Sequence, residues 1–269
     1  SFVATYVFTD IHGHAKPLRR ILERIAPQDE DQFICLGDMI DRGPDPLGVI
    51  ETVKTLPHVV VLQGNHEQML GRFLANEDDT EALITWIYNG GETTRDQLKS
   101  YSQQQRFDLL EWLQSLPLHY ECIRGGRPYI LVHAGIRAGI SPVPPAWNLE
   151  TLHSFVELQN TEDLLWIRED FWSRPTGLVD SGGNGPIVIC GHTPTPYLAS
   201  VGASNINRSA QNEEGLAQYI RAGATPATGN VHDKWGIDTG TVGGAGYGQV
   251  SVIRLDDEAE FTEPLQVGD

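Results

Sequence analysis

Four apolar residues run directly into a polar cluster at Phe33-Ile34-Cys35-Leu36-Gly37-Asp38-Met39-Ile40-Asp41-Arg42-Gly43. The apolar run has the length and composition of a buried β-strand, and the glycine that follows it is typical of a strand end. Polar side chains placed just after a strand are how α/β enzymes build their sites. Residues 33–43 therefore predict a strand that delivers Asp38, Asp41 and Arg42 to one edge of a sheet.

The same change from apolar to polar occurs at four other places. Apolar runs at residues 6–8, 59–62, 129–132 and 187–190 are followed by Asp10-Ile11-His12-Gly13, Gly64-Asn65-His66-Glu67, His133-Ala134-Gly135 and Gly191-His192-Thr193. One match of this kind is a weak signal, whereas five in this order are a strong one. They predict one shared site built from Asp, His and Asn side chains.

Asp10 and His12 lie two residues apart at a predicted strand end. Alternate residues of an extended chain point to the same side, so both side chains are expected to reach one cation. A carboxylate and an imidazole suit a hard or borderline divalent metal, and the motif contains no thiolate. Asp38 is the candidate bridging ligand, because one carboxylate can hold two metals roughly 3.5 to 4 Å apart.

Strand and helix patterns alternate through the first 75 residues, which predicts βαβ units and a largely parallel sheet. Residues 80–116 predict two helices, the first containing Leu98 and the second ended by Pro117. The remaining strand patterns indicate an antiparallel half, because few long helices separate them. They lie at residues 118–124, 129–132, 187–190, 235–237 and 249–255.

Residues 194–233 are rich in Gly, Ala, Ser, Asn and Thr and show no strong periodicity. Loops of this length inside a compact domain are typically functional lids or disordered segments. The segment also begins shortly after the candidate ligand His192. We therefore hypothesise a mobile lid or a substrate-selecting loop at this place.

The chain has 269 residues, which is enough to bury a sizeable core, and a single domain over residues 1–269 is expected. It contains 19 Lys and Arg against 36 Asp and Glu, and its formal net charge is -17. That charge argues against nucleic-acid and anionic-membrane partners. It does not exclude a phosphate substrate, because two bound divalent cations would reverse the field locally.

Cys35, Cys122 and Cys190 lie in or beside apolar runs and lack CxxC spacing. We interpret them as small buried hydrophobes of a reduced, cytoplasmic protein. No apolar stretch approaches the roughly 20 residues that span a bilayer. The first segment does not resemble a signal peptide, because site-type residues already begin at Asp10.

Together these motifs resemble the calcineurin-like metallophosphoesterases of the serine/threonine phosphoprotein phosphatase superfamily, in particular the small bacterial and phage-type phosphatases and the related dinucleoside tetraphosphatases. The resemblance runs from Asp10 to at least Gly240. Secondary motifs of the bacterial branch are matched by Trp86-Ile87-Tyr88-Asn89-Gly90-Gly91, Trp166-Ile167-Arg168-Glu169 and Ile237-Asp238-Thr239-Gly240. Asn65-His66-Glu67 resembles the protein-phosphatase wording, where the tetraphosphatases usually carry Asp in place of Glu67.

The resemblance implies a fold and a set of metal ligands. The fold is α/β, an αββα sandwich of two mixed sheets flanked by helices, with a helical cap insert at about residues 67–117 on one side of the active site. Two divalent ions are expected, with Mn²⁺ favoured and Fe, Zn, Mg or Ni also compatible with oxygen and imidazole ligands. The implied ligands are Asp10, His12, Asp38, Asn65, His133 and His192.

The resemblance also implies a mechanism of direct attack on phosphorus. A hydroxide that bridges the two cations is the expected in-line nucleophile, without a phosphoenzyme. His66 is the candidate general acid for the leaving oxygen, and Asp41 is expected to orient it. The other implied roles are phosphate clamping by Arg42 and Arg168, substrate contact by Asn65, and orientation of a metal-bound histidine or a structural turn role for Asp238.

These observations favour a metal-dependent phosphomonoesterase, a serine/threonine or dual-specificity protein phosphatase acting on phosphorylated proteins or small phosphate esters. A second interpretation is a hydrolase of dinucleoside polyphosphates or other small phosphoanhydrides, which the Glu67 wording disfavours. A third is an inactive phosphate-binding module, whose mark would be a missing ligand or acid, and none is missing. A phosphodiesterase is disfavoured because relatives of that class usually carry a second His where Pro194 stands.

Overall fold

The computed structural model describes residues 2–269 and contains two five-stranded sheets. The first sheet has the spatial order β10-β9-β1-β2-β3, in which β1, β2 and β3 are parallel and β9 and β10 are antiparallel to their neighbours. The predicted parallel pairing of the first strands is confirmed. The strands of this sheet are β1 (Thr5–Phe8), β2 (Gln32–Cys35), β3 (Val60–Val61), β9 (Gln249–Arg254) and β10 (Ala259–Pro264).

The second sheet has the spatial order β4-β5-β6-β8-β7, and it is also mixed. Its strands are β4 (His119–Arg124), β5 (Arg127–Val132), β6 (Ile187–Cys190), β7 (Ile220–Ala222) and β8 (Lys234–Gly236). The central strands β5, β6 and β8 are parallel, and only the edge strands β4 and β7 run antiparallel to their neighbours. The expectation of an antiparallel second half is confirmed for the β4–β5 hairpin and for β9, but it is wrong for β5, β6 and β8, because long connections return the chain to the same edge before β6 and β8.

Helices cover the outer face of each sheet, and apolar side chains fill the space between the sheets. Val7, Ile34, Leu131, Ile189 and Trp235 belong to the cluster between the sheets and are all buried. The helices against the first sheet include α1 (Ala15–Ile25), α2 (Pro46–Lys54) and α3 (Asn65–Ala75), and those against the second are α7 (Leu149–Glu157), α8 (Thr161–Trp166) and α9 (Glu169–Trp172). The αββα sandwich is confirmed.

Residues 80–116 form three helices where two are predicted: α4 (Thr80–Tyr88), α5 (Glu92–Leu98) and α6 (Gln103–Ser115). Leu98 therefore belongs to a separate helix. Gly90 adopts a φ of 99°, which a continuous helix does not allow, and α4 ends just before it. Trp86, Leu98, Leu109 and Leu113 are buried in the same core as the first sheet, so this insert is packed onto the helical layer.

The segment at residues 194–233 is not a loop along its whole length. It contains the edge strand β7 and short 3₁₀ turns at Thr195–Tyr197, Ala199–Val201 and Pro226–Thr228. Leu198, Leu216, Ala217 and Ile220 are buried, so the segment contributes to the hydrophobic core. The hypothesis of a mobile lid or a substrate-selecting loop stays a prediction, and the pairing of β7 with β8 holds part of the segment in the second sheet.

Within residues 2–269, no helix combines the length and the apolar composition needed to cross a bilayer.

Candidate metal centre and active site

Six side chains converge where strands of both sheets end. Asp10 and His12 follow β1, Asp38 follows β2, and Asn65 begins α3 directly after β3. From the second sheet, His133 follows β5 and His192 follows β6. All six residues are buried. The structure thus brings together the six residues that the sequence proposes as ligands.

One ligand group forms around His12. Its Nε2 lies 3.5 Å from Asp10 Oδ2 and 3.6 Å from Asp38 Oδ2. Its Nδ1 lies 2.9 Å from the carbonyl oxygen of Ile40, so an Nδ1–H donates to the backbone there. With Nδ1 held by the backbone, Nε2 is the nitrogen that would bind a cation, which is the usual arrangement of a metal-binding histidine.

A second ligand group forms around His133. Its Nε2 lies 3.2 Å from Asp38 Oδ2, and its Nδ1 lies 2.8 Å from the carbonyl oxygen of Leu36, to which it donates. The Asn65 side-chain oxygen lies 2.9 Å from His133 Nε2 and also faces His192 Nδ1 and the Asp38 carboxylate. Acceptor atoms that face one another repel unless the amide turns over or a cation lies between them.

The two groups share Asp38 and fit a pair of divalent cations. The ligand atoms of Asp38, His133 and His192 lie within 4.8 Å of one another, as do those of His12, Asp38 and His66. Asp10 Oδ2 and His192 Nε2 are buried without a hydrogen-bond partner. Such orphaned groups cost about 1–3 kcal/mol each, and a bound cation would supply the missing partner. The donors are carboxylate, imidazole and amide, which suit Mn, Fe, Zn, Mg or Ni without identifying one.

The carboxylates of the centre change the pKa of the ligand histidines. Burial lowers the pKa of His12, but the hydrogen bond with Asp10 and the charge of Asp38 outweigh burial and raise it to about 9. For His133, burial is outweighed by Asp38, and the pKa rises to about 10. Burial and the charge of His133 hold the pKa of His192 well below its usual value. The centre attracts positive charge, and a cation would compete with these protons.

Four ligand residues adopt left-handed backbone conformations, with φ of 51° at Asp10, 44° at His12, 56° at Asp38 and 70° at His192. Such conformations cost about 1–3 kcal/mol each for non-glycine residues and persist where the surrounding structure enforces them. The Asp10 N–H, for example, donates to the Gly37 carbonyl at 3.0 Å. The expectation that Asp10 and His12 lie on an extended chain is therefore wrong. Sharp turns after the strands direct both side chains inward.

His66 is paired with a buried carboxylate. Its Nδ1 lies 2.6 Å from Asp41 Oδ2, and its Nε2 faces Asp38 Oδ2 at 4.0 Å. Asp41 in turn accepts from Trp86 Nε1 at 3.0 Å and from Thr94 Oγ1 at 2.7 Å. Trp86 lies in a motif noted in the sequence, but Thr94 was missed, because it lies 53 residues from Asp41 and outside any motif.

Glu67 is a second residue whose role the sequence does not reveal. Its buried carboxylate accepts from the backbone N–H groups of Asp38 at 2.6 Å, Met39 at 3.0 Å and Gly64 at 2.8 Å. These bonds hold the turn after β2 and the start of α3 together. The only available signal was its place three residues after Gly64, which is typical of a capping glutamate.

The two candidate phosphate clamps are exposed at the centre. The Arg42 N–H donates to the Gly90 carbonyl at 2.9 Å, and Arg168 Nε donates to Thr193 Oγ1 at 3.3 Å. The salt bridges formed within residues 2–269 involve neither guanidinium. Both charges are therefore available to an anionic ligand.

Asp238 is buried beside Asp10, and no side-chain hydrogen bond joins it to a histidine among residues 2–269. Its Oδ1 accepts from the Gly240 N–H at 3.0 Å, and burial together with the charge of Asp10 raises its pKa well above the usual value. The Nδ1 atoms of His12 and His133 donate to backbone carbonyls instead. The structure thus favours the turn role of Asp238 over the orientation of a ligand histidine.

A family model described as calcineurin-like phosphoesterase matches residues 4–223. The symmetrical bis(5'-nucleosyl)-tetraphosphatase of Coxiella burnetii (strain Dugway 5J108-111) is 30% identical over 182 residues, which cover 64% of this chain and 55% of the relative. The enzyme of the same name from Pseudomonas fluorescens (strain SBW25) is 33% identical over 151 residues, covering 55% and 46%. The chain thus spans about half the length of the curated relatives that it matches.

Solved structures share the fold over nearly the whole chain. A structure provisionally named a diadenosine tetraphosphatase has a TM-score of 0.57 and 17% identity, and the alignment covers 98% of this chain and 95% of the other. A serine/threonine phosphatase from Saccharomyces cerevisiae has a TM-score of 0.51 and 15% identity, with coverage of 99% and 81%. At these identities the likeness establishes the fold alone.

Proposed function

The chain belongs to the calcineurin-like phosphoesterase family, and we propose that it hydrolyses dinucleoside polyphosphates or other small phosphoanhydrides. The matched relatives that are 30% and 33% identical are both named symmetrical bis(5'-nucleosyl)-tetraphosphatases, which supports this choice over a phosphoprotein substrate. The presence of Glu rather than Asp at position 67 is weak evidence against a polyphosphate substrate. The Glu67 carboxylate is fully buried and accepts from three backbone N–H groups.

The observation that carries the proposal is the pair of ligand groups that share Asp38. Asp10, His12 and Asp38 would hold one divalent cation, while the other would be held by Asp38, Asn65, His133 and His192. Bound cations would supply Lewis-acid stabilisation of phosphoryl oxygens and would lower the pKa of a water nucleophile. Among the compatible metals, we propose Mn²⁺ as the first to test.

Proton transfer to the leaving oxygen is assigned to His66. The hydrogen bond between Nδ1 and Asp41 fixes the ring so that Nε2 faces the ligand groups. Nε2 is therefore the atom from which a proton would be donated. Asp41 is itself held by Trp86 and Thr94, so the acid is oriented before a substrate binds.

Arg42 and Arg168 are assigned to the anionic oxygens of the substrate. A guanidinium can form two parallel charge-assisted hydrogen bonds with a phosphoryl group. A polyphosphate chain offers several charged oxygens to the two arginines and to the cations, whereas an ester offers one phosphoryl group. The two arginines thus suit a chain of phosphates.

The proposal is tested with protein reconstituted separately with Mn²⁺, Mg²⁺, Zn²⁺, Ni²⁺ and Fe²⁺. Steady-state kinetics would compare diadenosine tetraphosphate, a phosphothreonine peptide, an aryl phosphate monoester and the matching diester. We expect kcat/KM for the tetraphosphate to exceed that for each ester by roughly a hundredfold, or about 2.7 kcal/mol of transition-state discrimination. Chromatography is expected to show nucleoside diphosphates as the sole products, as symmetrical cleavage requires.

Each other outcome favours one of the alternatives. A preference for the phosphopeptide or the aryl monoester would restore the phosphomonoesterase interpretation. Inactivity on every substrate with a full metal load would favour a phosphate-binding module. A preference for the diester would exclude both hydrolase interpretations.

A further inference from the structure

A further group of metal-ligating side chains lies between β4 and α7 and shares no residue with the centre described above. His119 and Glu121 are two residues apart on β4, and His153 and Glu157 are four residues apart on α7. Residues at these spacings share one face of a strand and one face of a helix. The two faces meet, and the four side chains form one cluster.

Glu121 stands between the Nδ1 atoms of both histidines. One of its oxygens lies 2.5 Å from His119 Nδ1, and the other lies 3.7 Å from His153 Nδ1. The ligand atoms of these three residues all lie within 4.8 Å of one another. Donors around a tetrahedral zinc ion, bound at about 2.1 Å, stand about 3.4 Å apart. The 3.7 Å separation between Glu121 and His153 Nδ1 is close to this spacing, and the 2.5 Å pair would open by about 1 Å to admit the ion.

Glu157 lies on the opposite side of both rings. Its Oε1 lies 2.8 Å from His119 Nε2 and 3.6 Å from His153 Nε2. A carboxylate in this place keeps a proton on Nε2, so Nδ1, which in His119 donates to Glu121, is the nitrogen that would exchange its proton for the ion. Carboxylates hold the outer nitrogen of metal-bound histidines in the same way.

The cluster is partly enclosed and still accessible to an ion. The side chains of His119 and Glu121 are 10% and 8% exposed, whereas that of His153 is 60% exposed. A cavity of about 420 Å³ opens beside it and is lined in part by Pro117, His119, His153, Glu157 and Thr161. The cavity therefore gives an ion access to the two histidine rings of the cluster.

We propose that His119, Glu121 and His153 bind a divalent transition-metal ion of the Zn²⁺ class, with Glu157 orienting the two rings. Two imidazoles and one carboxylate suit such an ion better than Mg²⁺ or Ca²⁺, which take oxygen ligands. The ion would link α7 to the edge strand β4 through its ligands. Because His119 pairs with Val132, it would also brace the strand end that precedes His133.

The test measures metal content and thermal stability with Zn²⁺ as the probe. Wild type, His153→Ala, Glu121→Gln and the surface control His58→Ala would be dialysed against micromolar Zn²⁺ and analysed by elemental analysis. We expect His153→Ala and Glu121→Gln each to lose one bound ion per chain, while His58→Ala retains the wild-type content. Titration should show at least tenfold weaker binding of that ion.

Shifts of the melting temperature are measured in an Asp38→Asn background, because this change removes the carboxylate shared by the two ligand groups of the other centre. Zn²⁺ should raise the melting temperature of Asp38→Asn, and the rise should disappear when His153→Ala is added. Melting temperatures in the presence of a chelator show whether each variant is folded. Equal zinc content in wild type and both cluster variants, or an unchanged rise with His153→Ala, would overturn the proposal and leave a hydrogen-bonded ion pair only.

Discussion

At the scale of single residues, the hydrogen-bond partner of Nδ1 distinguishes His12 and His133 from His66. His12 and His133 donate from Nδ1 to backbone carbonyls, at 2.9 and 2.8 Å. A neutral ring held in this way presents a lone pair on Nε2, as a metal ligand requires. His66 instead faces the carboxylate of Asp41 at 2.6 Å, and this pairing suits a residue that carries a proton during the reaction.

His66→Asn is expected to lower kcat by roughly 10²- to 10⁴-fold for substrates with a basic leaving oxygen, and much less for aryl phosphates, because the aryl oxygen needs little protonation. Steady-state kinetics on both kinds of substrate would measure the difference. Asp41→Asn should give the same pattern with a smaller loss. Metal content distinguishes a general acid from a metal ligand, because His66 also lies close to His12 and Asp38. Equal losses on both substrates together with loss of metal would mean that His66 is a ligand.

At the scale of secondary-structure elements, the helical insert orients the acid. Trp86 of α4 and Thr94 of α5 both donate to Asp41, and the turn between these helices contacts Arg42 through Gly90. The insert therefore contacts Asp41, the proposed partner of the acid, and Arg42, the proposed clamp, from outside the sheets. The helical cap at about residues 67–117 stays a prediction.

Gly90→Ala is expected to raise KM several-fold while metal content stays at the wild-type level. Gly90 adopts a φ of 99°, and an added Cβ would lie 2.6 Å from Arg42 Cγ, so the clamp must shift. The matched control is Gly71→Ala in α3, where a Cβ meets nothing within 4 Å. That control should keep KM and gain about 0.5–1 kcal/mol in free energy of unfolding. A normal KM for Gly90→Ala would show that the turn does not position Arg42.

Residues 194–233 are expected to behave as part of the core. Ile220→Ala in β7 should lower the free energy of unfolding by about 2–5 kcal/mol, because Ile220 is fully buried. Val267→Ala is the control, since Val267 is 96% exposed and its change should stay within about 0.5 kcal/mol. Urea denaturation measures both. An equally small change in the free energy of unfolding for Ile220→Ala, with rapid proteolytic cleavage inside the segment, would support the mobile-lid hypothesis.

At the scale of the whole molecule, the candidate centre joins the two sheets. Asp10 and Asp38 come from the first sheet, and His133 and His192 come from the second. The sheets are otherwise held by the apolar cluster between them. Bound cations would thus link the two halves of the sandwich at the edge where their parallel strands end.

Chelation is expected to lower the melting temperature of the protein in one cooperative transition. Cations at a hundredfold excess over Kd contribute about 2.7 kcal/mol to the free energy of unfolding, or roughly 5 °C or more for a chain of this size. Calorimetry of His153→Ala, which removes the other proposed ion, measures the effect of this centre alone. The melting temperature of the double variant His153→Ala/Asp38→Asn should change little when chelator is added. Two separate transitions, or no shift in His153→Ala, would show that the cations do not link the sheets.

The sequence by itself determined the strand ends that carry the polar groups and the family that they resemble. These features are local, because an apolar run and the residues directly after it lie within about ten positions of each other. The parallel order of β1, β2 and β3 also followed from the alternation of strands and helices. No such local pattern distinguishes a phosphoprotein substrate from a polyphosphate substrate.

Only the tertiary structure decided the features that depend on distant or sterically costly contacts. Thr94 reaches Asp41 across 53 residues, and Glu67 reaches the turn at Asp38 across 29 residues. The strand β7 has three residues and forms because β8 pairs with it. The left-handed turns at Asp10 and Asp38 are unfavourable in an isolated chain and persist because neighbouring strand ends hold them.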